Sequence, residues 1–124
     1  MLRVLVIAPL ILALALPLPA EAQEVPPEAR MDLWCGIALD LMTRDPPADA
    51  TPEKVAAAKV YSDGAQLLVQ RAIPIYLESG YTDEALAAYR ADLEDSIGRI
   101  VNGAARSGDE SAYSFQDCSA LIGQ

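Results

Sequence analysis

The stretch TDEALAAYRADLEDSIGRIVNGA, residues 82–104, decides the fold class. Thr82 followed by Asp83 and Glu84 is a helix start. A hydroxyl stands where an orphan N–H needs an acceptor, and two acids stand where the helix dipole is positive. From there Leu86, Tyr89, Leu93, Ile97, Ile100, Val101 and Ala104 fall within about 120° of one another, the width of a core-facing helical stripe. Asp95 and Arg99 lie four apart on the other side, which predicts an outer-face ion pair. Ser107-Gly108-Asp109 is the expected stop. Strands are excluded because apolar/polar alternation never persists and the β-branched residues recur at helical spacing.

The same grammar extends outward. Thr51-Pro52-Glu53 caps a second helix expected from Pro52 to about Ser79, with Gly80 just past its end. Pro74 lies inside it, and its ring should kink or break the helix there. The short link between the second and third helices predicts an αα-hairpin. Pro26-Pro27 opens a first helix running to about Thr43. One stripe of that helix carries Met31, Trp34, Cys35, Ala38, Leu41 and Met42, and Leu33, Ile37 and Leu39 fall outside it. A helix apolar nearly all round is either the most buried element or presents a second face to a partner. On the second alternative, Leu33 and Ile37 are the candidate partner-binding face. Ser114 and Asp117 predict a short C-terminal helix through Ile122, with Phe115, Cys118 and Ile122 facing inward. The expected architecture is all-α: a small bundle of three main helices plus a short C-terminal one, forming a single domain over residues 28–124.

Ahead of that domain the composition changes. Arg3 is followed by an apolar run from Val4 to Leu16, then by small residues at Ala20 and Ala22. This is the layout of a secretory signal peptide, residues 1–22, with cleavage expected between Ala22 and Gln23. No stable membrane anchor is then expected, and residues 23–27 become a flexible lead-in. Two cysteines in an exported chain, periplasmic or secreted, predict one disulfide, Cys35–Cys118. Both lie on the faces expected to point into the core.

The chemistry is sparse. The chain contains no histidine, and it has 9 basic against 18 acidic residues for a net charge of −9. That balance argues against nucleic acid, whose phosphates need a basic footprint. Without His there is no triad and no Cys–His pair. The two cysteines do not cluster as zinc ligands do, and no C-x-x-C supports thiol exchange. Neither a Walker A loop nor a G-x-G-x-x-G motif occurs, so no cofactor or metal is implied. Lys54 and Lys59 read as solvated lysines. Asp92, Glu94 and Asp95 read as a solvated helix face, and Asp45, Asp49 and Glu53 do not match a calcium loop.

Two local resemblances bear on function. Tyr76, Gly80, Ala85 and Tyr89 hold the spacing of a Tyr, a Gly, an Ala and an aromatic residue in the hairpin of a tetratricopeptide repeat. That likeness covers about fifteen residues. It departs at Ile73, Asp92 and Ile97, and no second copy occurs where such arrays need about three. Trp34-Cys35, with an exported helical domain and one disulfide, is similar to the small periplasmic acid-stress chaperones. The leading expectation is a non-catalytic protein that binds a protein partner. The alternatives are a periplasmic stress-protective chaperone, whose carboxylates would protonate in acid, and a hydrolase using carboxylates alone.

Overall fold

The computed structural model describes residues 24–123, of which 68% are helical, with no strand among them. The expected signal peptide, residues 1–22, lies outside the described residues. Four helices follow in order: α1 (Pro27–Thr43), α2 (Pro52–Glu78), α3 (Asp83–Val101) and α4 (Phe115–Ser119). This is the expected set of three main helices and a short last one.

The caps follow the sequence grammar. Thr51 Oγ1 accepts from Lys54 N, and Thr82 Oγ1 from Ala85 N. Ser114 and Asp117 form a reciprocal capping box at α4. At the end of α2, Gly80 adopts φ 105°. Tyr81 N then donates to Tyr76 O, and Gly80 N to Leu77 O, the paired bonds of a Schellman motif. Gly103, at φ 70°, closes α3 in the same way through Ala104 N to Arg99 O. That stop comes earlier than Ser107-Gly108-Asp109, and it leaves Ala104 off the core stripe and exposed.

α1 is the central element. It packs against all three other helices, most extensively α2, whereas α2 and α3 touch each other little. The expected hairpin is therefore a shared corner, not two helices lying side by side. This position explains why α1 is apolar all round. On one side Ala29, Leu33, Ile37 and Ala38 join Ala72, Tyr76, Leu86 and Ile97. On the other, Cys35 and Leu39 join Ala65, Leu68 and Cys118. α1 comes so close to α2 that a Cβ at Gly36 would lie 2.7 Å from Val69 Cγ2 and 2.8 Å from Ala65 O. Only a hydrogen fits between these backbones.

Three expectations are corrected here. α2 runs through Pro74 without a break. Pro74 and Gln70 are both exposed, so the carbonyl that loses its donor faces solvent, while Ala72 and Tyr76 hold the inner face in the core. Val25, in the segment read as a flexible lead-in, is buried and pinned to the core. The last helix ends at Ser119 and not Ile122. Beyond it, Ile122 packs against Gly64, where a Cβ would come within 2.6 Å of Ile122 Cδ1. The disulfide forms as expected, with the Cα atoms of Cys35 and Cys118 5.0 Å apart.

Candidate functional site

Leu33 and Ile37 do not form an exposed partner face. They are 0% and 4% exposed, because α2 and α3 together cover the part of α1 that carries them. The large apolar residues left exposed lie elsewhere: Val55, Val60 and Leu67 along α2, and three more around one cleft. Met42 at the end of α1, Val101 at the end of α3 and Phe115 at the start of α4 are 41%, 38% and 54% exposed. All three line one cleft of about 240 Å³, backed by Trp34, Ile97 and Tyr113, with Cys118 in its wall.

Each wall has a local cause. α1 supplies Trp34, Ala38 and Met42 at i, i+4, i+8, one helical face. α3 supplies Ile97, Ile100 and Val101 from its last turn. The loop after α3 supplies Tyr113, whose ring meets Trp34 edge-on with centroids 5.7 Å apart. Phe115 was expected to face inward. Instead it sits at the first position of a five-residue helix, on the rim, 6.0 Å from the ring of Tyr61. Cys118, one turn later, takes the inward position.

An ion pair ties the loop after α3 back to that helix. Arg99 Nε and Nη2 donate to the two carboxylate oxygens of Asp109 at 2.7 and 2.9 Å, and Arg106 N donates to Asp109 at 2.9 Å. Arg99 was expected to pair with Asp95. The bidentate partner wins because its second hydrogen bond fits the planar guanidinium fork. The Arg99 guanidinium, helped by the Arg106 N–H, holds the Asp109 carboxyl well below the usual carboxylate range. A carboxylate depressed in the folded state adds stability above its unfolded value of about 4, and that stability is lost as pH falls through the folded value. Asp109→Asn is therefore expected to lower Tm at pH 7, with the gap to the parent persisting to about pH 4 and closing only in stronger acid. Thermal unfolding of both proteins from pH 7 to pH 2 measures this.

A second concavity, of about 280 Å³, opens where α2 and α3 diverge over α1. Asp40 and Arg44 of α1 line it as an ion pair. Arg90 and Glu94 line it from α3. Separately, Asp32, buried within α1, takes two hydrogen bonds from Arg71 of α2 at 2.7 and 2.8 Å. Removing Arg71 would leave that carboxylate buried and unpaired, so this pair locks the register of α1 on α2.

Lys54, Lys59, Asp92, Glu94 and Asp95 are all exposed, as are Asp45, Asp49 and Glu53. Lys59 pairs with Asp63 on the surface. Among the described residues, no three His, Cys, Asp or Glu side chains gather as a metal site. The Trp34–Tyr113–Phe115 cleft and the Arg99–Asp109 clamp were missed in the sequence. The one available signal was that Tyr113 and Phe115 bracket a helix cap, Ser114, four residues before a cysteine.

No protein-family model matches the chain, and no curated protein or solved structure is significantly similar to it.

Proposed function

We propose that this chain is an exported, non-catalytic binding protein whose cleft beside the disulfide takes an apolar side chain of a protein partner. The observation that carries this reading is the convergence of Met42, Val101 and Phe115 on one aromatic-backed cleft. Scattered exposed apolar residues need no explanation, but a clustered set over a pocket is the surface form of a partner site. Partner interfaces concentrate their energy in aromatic anchors of this kind. The net charge of −9 favours a partner with a basic rim and disfavours nucleic acid.

Export is supported by the closed disulfide, which oxidising compartments favour. The proposed processing site follows from the Ala20 and Ala22 spacing. The intact mass of the exported protein should correspond to a chain beginning at Gln23. A product retaining Val4–Leu16 would remove the basis for export by cleavage.

Two observations favour this reading over its rivals. A chaperone that released the loop after α3 in mild acid would need its carboxylate to protonate near the ordinary range, and Arg99 with the Arg106 N–H holds Asp109 well below it. A carboxylate hydrolase needs two free acids in one cleft. The residues lining the apolar cleft include none, and in the charged groove Asp40 is held by Arg44.

The test places a photo-crosslinker at Val101 in the native envelope, with Leu67, 65% exposed on α2 and away from the cleft, as the control position. A protein-sized adduct is expected at position 101 and not at 67. Phe115→Asp is expected to reduce it by about ten-fold or more, the scale of losing an aromatic anchor. Equal adducts at both positions, or none lost with Phe115→Asp, would refute the cleft as the partner site.

A further inference from the structure

The groove over α1 holds a pair of charges that the fold does not use. Asp40 and Arg44 satisfy each other across one turn of α1. Arg90 and Glu94, one turn apart on α3, make no hydrogen bond or ion pair with any described residue, although their spacing would let them pair with each other. Glu94 lines the groove and acts on Arg44 only through its charge. Arg90 Nε is buried and without an acceptor, the sole such side-chain atom among the described residues. Native proteins rarely leave a buried donor unmet, and a charged one still less often.

The remaining walls are of another kind. Ile37 forms part of the floor, and Val69 and Ile73 of α2 form an aliphatic side. At about 280 Å³ the groove lies just under the roughly 300–1,000 Å³ of drug-sized sites, so its ligand is small. One unpaired cation and one unpaired anion a helical turn apart, beside an aliphatic wall, complement a molecule with both charges and an apolar tail.

We propose that this groove binds a free aliphatic α-amino acid. Arg90 holds its carboxylate, Glu94 its ammonium, and Ile37, Val69 and Ile73 its side chain. Arg90 suits the role because a guanidinium binds a carboxylate through two donors, which would bring the Nε–H into use after a small side-chain rotation. No bond is made or broken. The ligand is held by charge-assisted hydrogen bonds and burial, at a site separate from the partner cleft.

The test is titration of the oxidised exported protein, followed by calorimetry and by the Arg Nε–H resonances in NMR. The probes are L-leucine, 4-methylpentanoate, which lacks the ammonium, and 3-methylbutylamine, which lacks the carboxylate. Leucine is expected to bind and to shift the Arg90 Nε–H. Each analogue should bind at least about ten-fold more weakly, because a site built for a polar group rejects the ligand lacking it. Arg90→Gln should weaken leucine by about ten-fold or more, and Glu94→Gln should weaken leucine while sparing 4-methylpentanoate. An Arg90 signal unmoved by millimolar leucine would overturn the proposal. So would 4-methylpentanoate binding as tightly as leucine, which would make this a plain carboxylate site. The comparison of the three probes on the unsubstituted protein stands even where a variant fails to fold.

Discussion

Cys118→Ser is expected to lower stability by about 4 to 5 kcal/mol, the value of closing a loop of this length in the chain-entropy model, an upper figure where the reduced chain keeps residual structure. The bond joins positions separated by 83 residues, so it removes far more freedom from the unfolded chain than a local staple would. Against a total stability of about 5–15 kcal/mol, this is a large fraction. The loss should also have an order. α4 has five residues, too few to persist alone, and its capping box orders only one turn. Leu121 and Ile122 reach the second core only if Cys118 is held beside Cys35. Hydrogen exchange should therefore show residues 115–122 losing protection first, before α1 and α2. Equal protection of α4 in the variant and the parent would show that the Ile122–Gly64 contact alone holds the tail. The partner cleft should fail with it, because Cys118 and Phe115 form one of its walls.

Tyr76→Ala is expected to cost about 3–5 kcal/mol, the range for deleting a fully buried aromatic side chain, and to lower Tm by roughly 15 °C or more. Tyr76 is 1% exposed and is the largest fully buried side chain among the described residues. Its ring lies 5.2 Å from that of Tyr81 and 5.8 Å from that of Tyr89, and those two are 5.8 Å apart. This three-ring corner does the joining that the expected hairpin was to have done, since α3 gains little from lying along α2. Burial, then the neighbouring Tyr89, pushes the Tyr76 phenol well above its ordinary range, so the hydroxyl stays neutral in ordinary buffers. Tyr76→Phe should therefore cost only about 1 kcal/mol, the worth of one hydrogen bond. Chemical unfolding of both variants separates packing from polarity: a Tyr76→Phe loss as large as that of Tyr76→Ala would place the energy in the hydroxyl.

The helices were legible because each carries its own punctuation. Thr51-Pro52, Thr82-Asp83 and Ser114 with Asp117 announce starts through local hydrogen bonding, and Gly80 announces a stop that only a residue free to adopt positive φ can make. The corrected end of α3 shows the limit of that grammar. Two glycines, Gly103 and Gly108, could each have closed the helix. Gly103 does, and Arg99, in the last turn, then reaches forward to Asp109. The inward direction of Phe115 was misread for a related reason: a five-residue helix has too few turns for periodicity to set a face.

The candidate sites were less legible. Leu33 and Ile37 stand out as the apolar surplus of α1, yet a surplus cannot say which neighbour covers it, and one core takes both. Asp32 is one of three acids in α1, and its partner Arg71 stands 39 positions away. Arg90 resembles any other surface arginine in the sequence. What sets it apart is a burial and a missing acceptor that appear only when three helices meet.

By itself, then, the sequence determined the helices, their caps and the pairing of two cysteines. These depend on residues within a turn of one another, or on there being a single way to pair two thiols. The tertiary structure alone decided that α1 lies between α2 and α3, that α2 carries Pro74 through on its solvent face, and that Met42, Val101 and Phe115 gather around one cleft. Those outcomes depend on which of several nearly equivalent apolar faces meet. That choice is settled by shape complementarity over the whole domain, in contacts such as Gly36 against Ala65 and Val69, where one missing Cβ sets how near two helices can come.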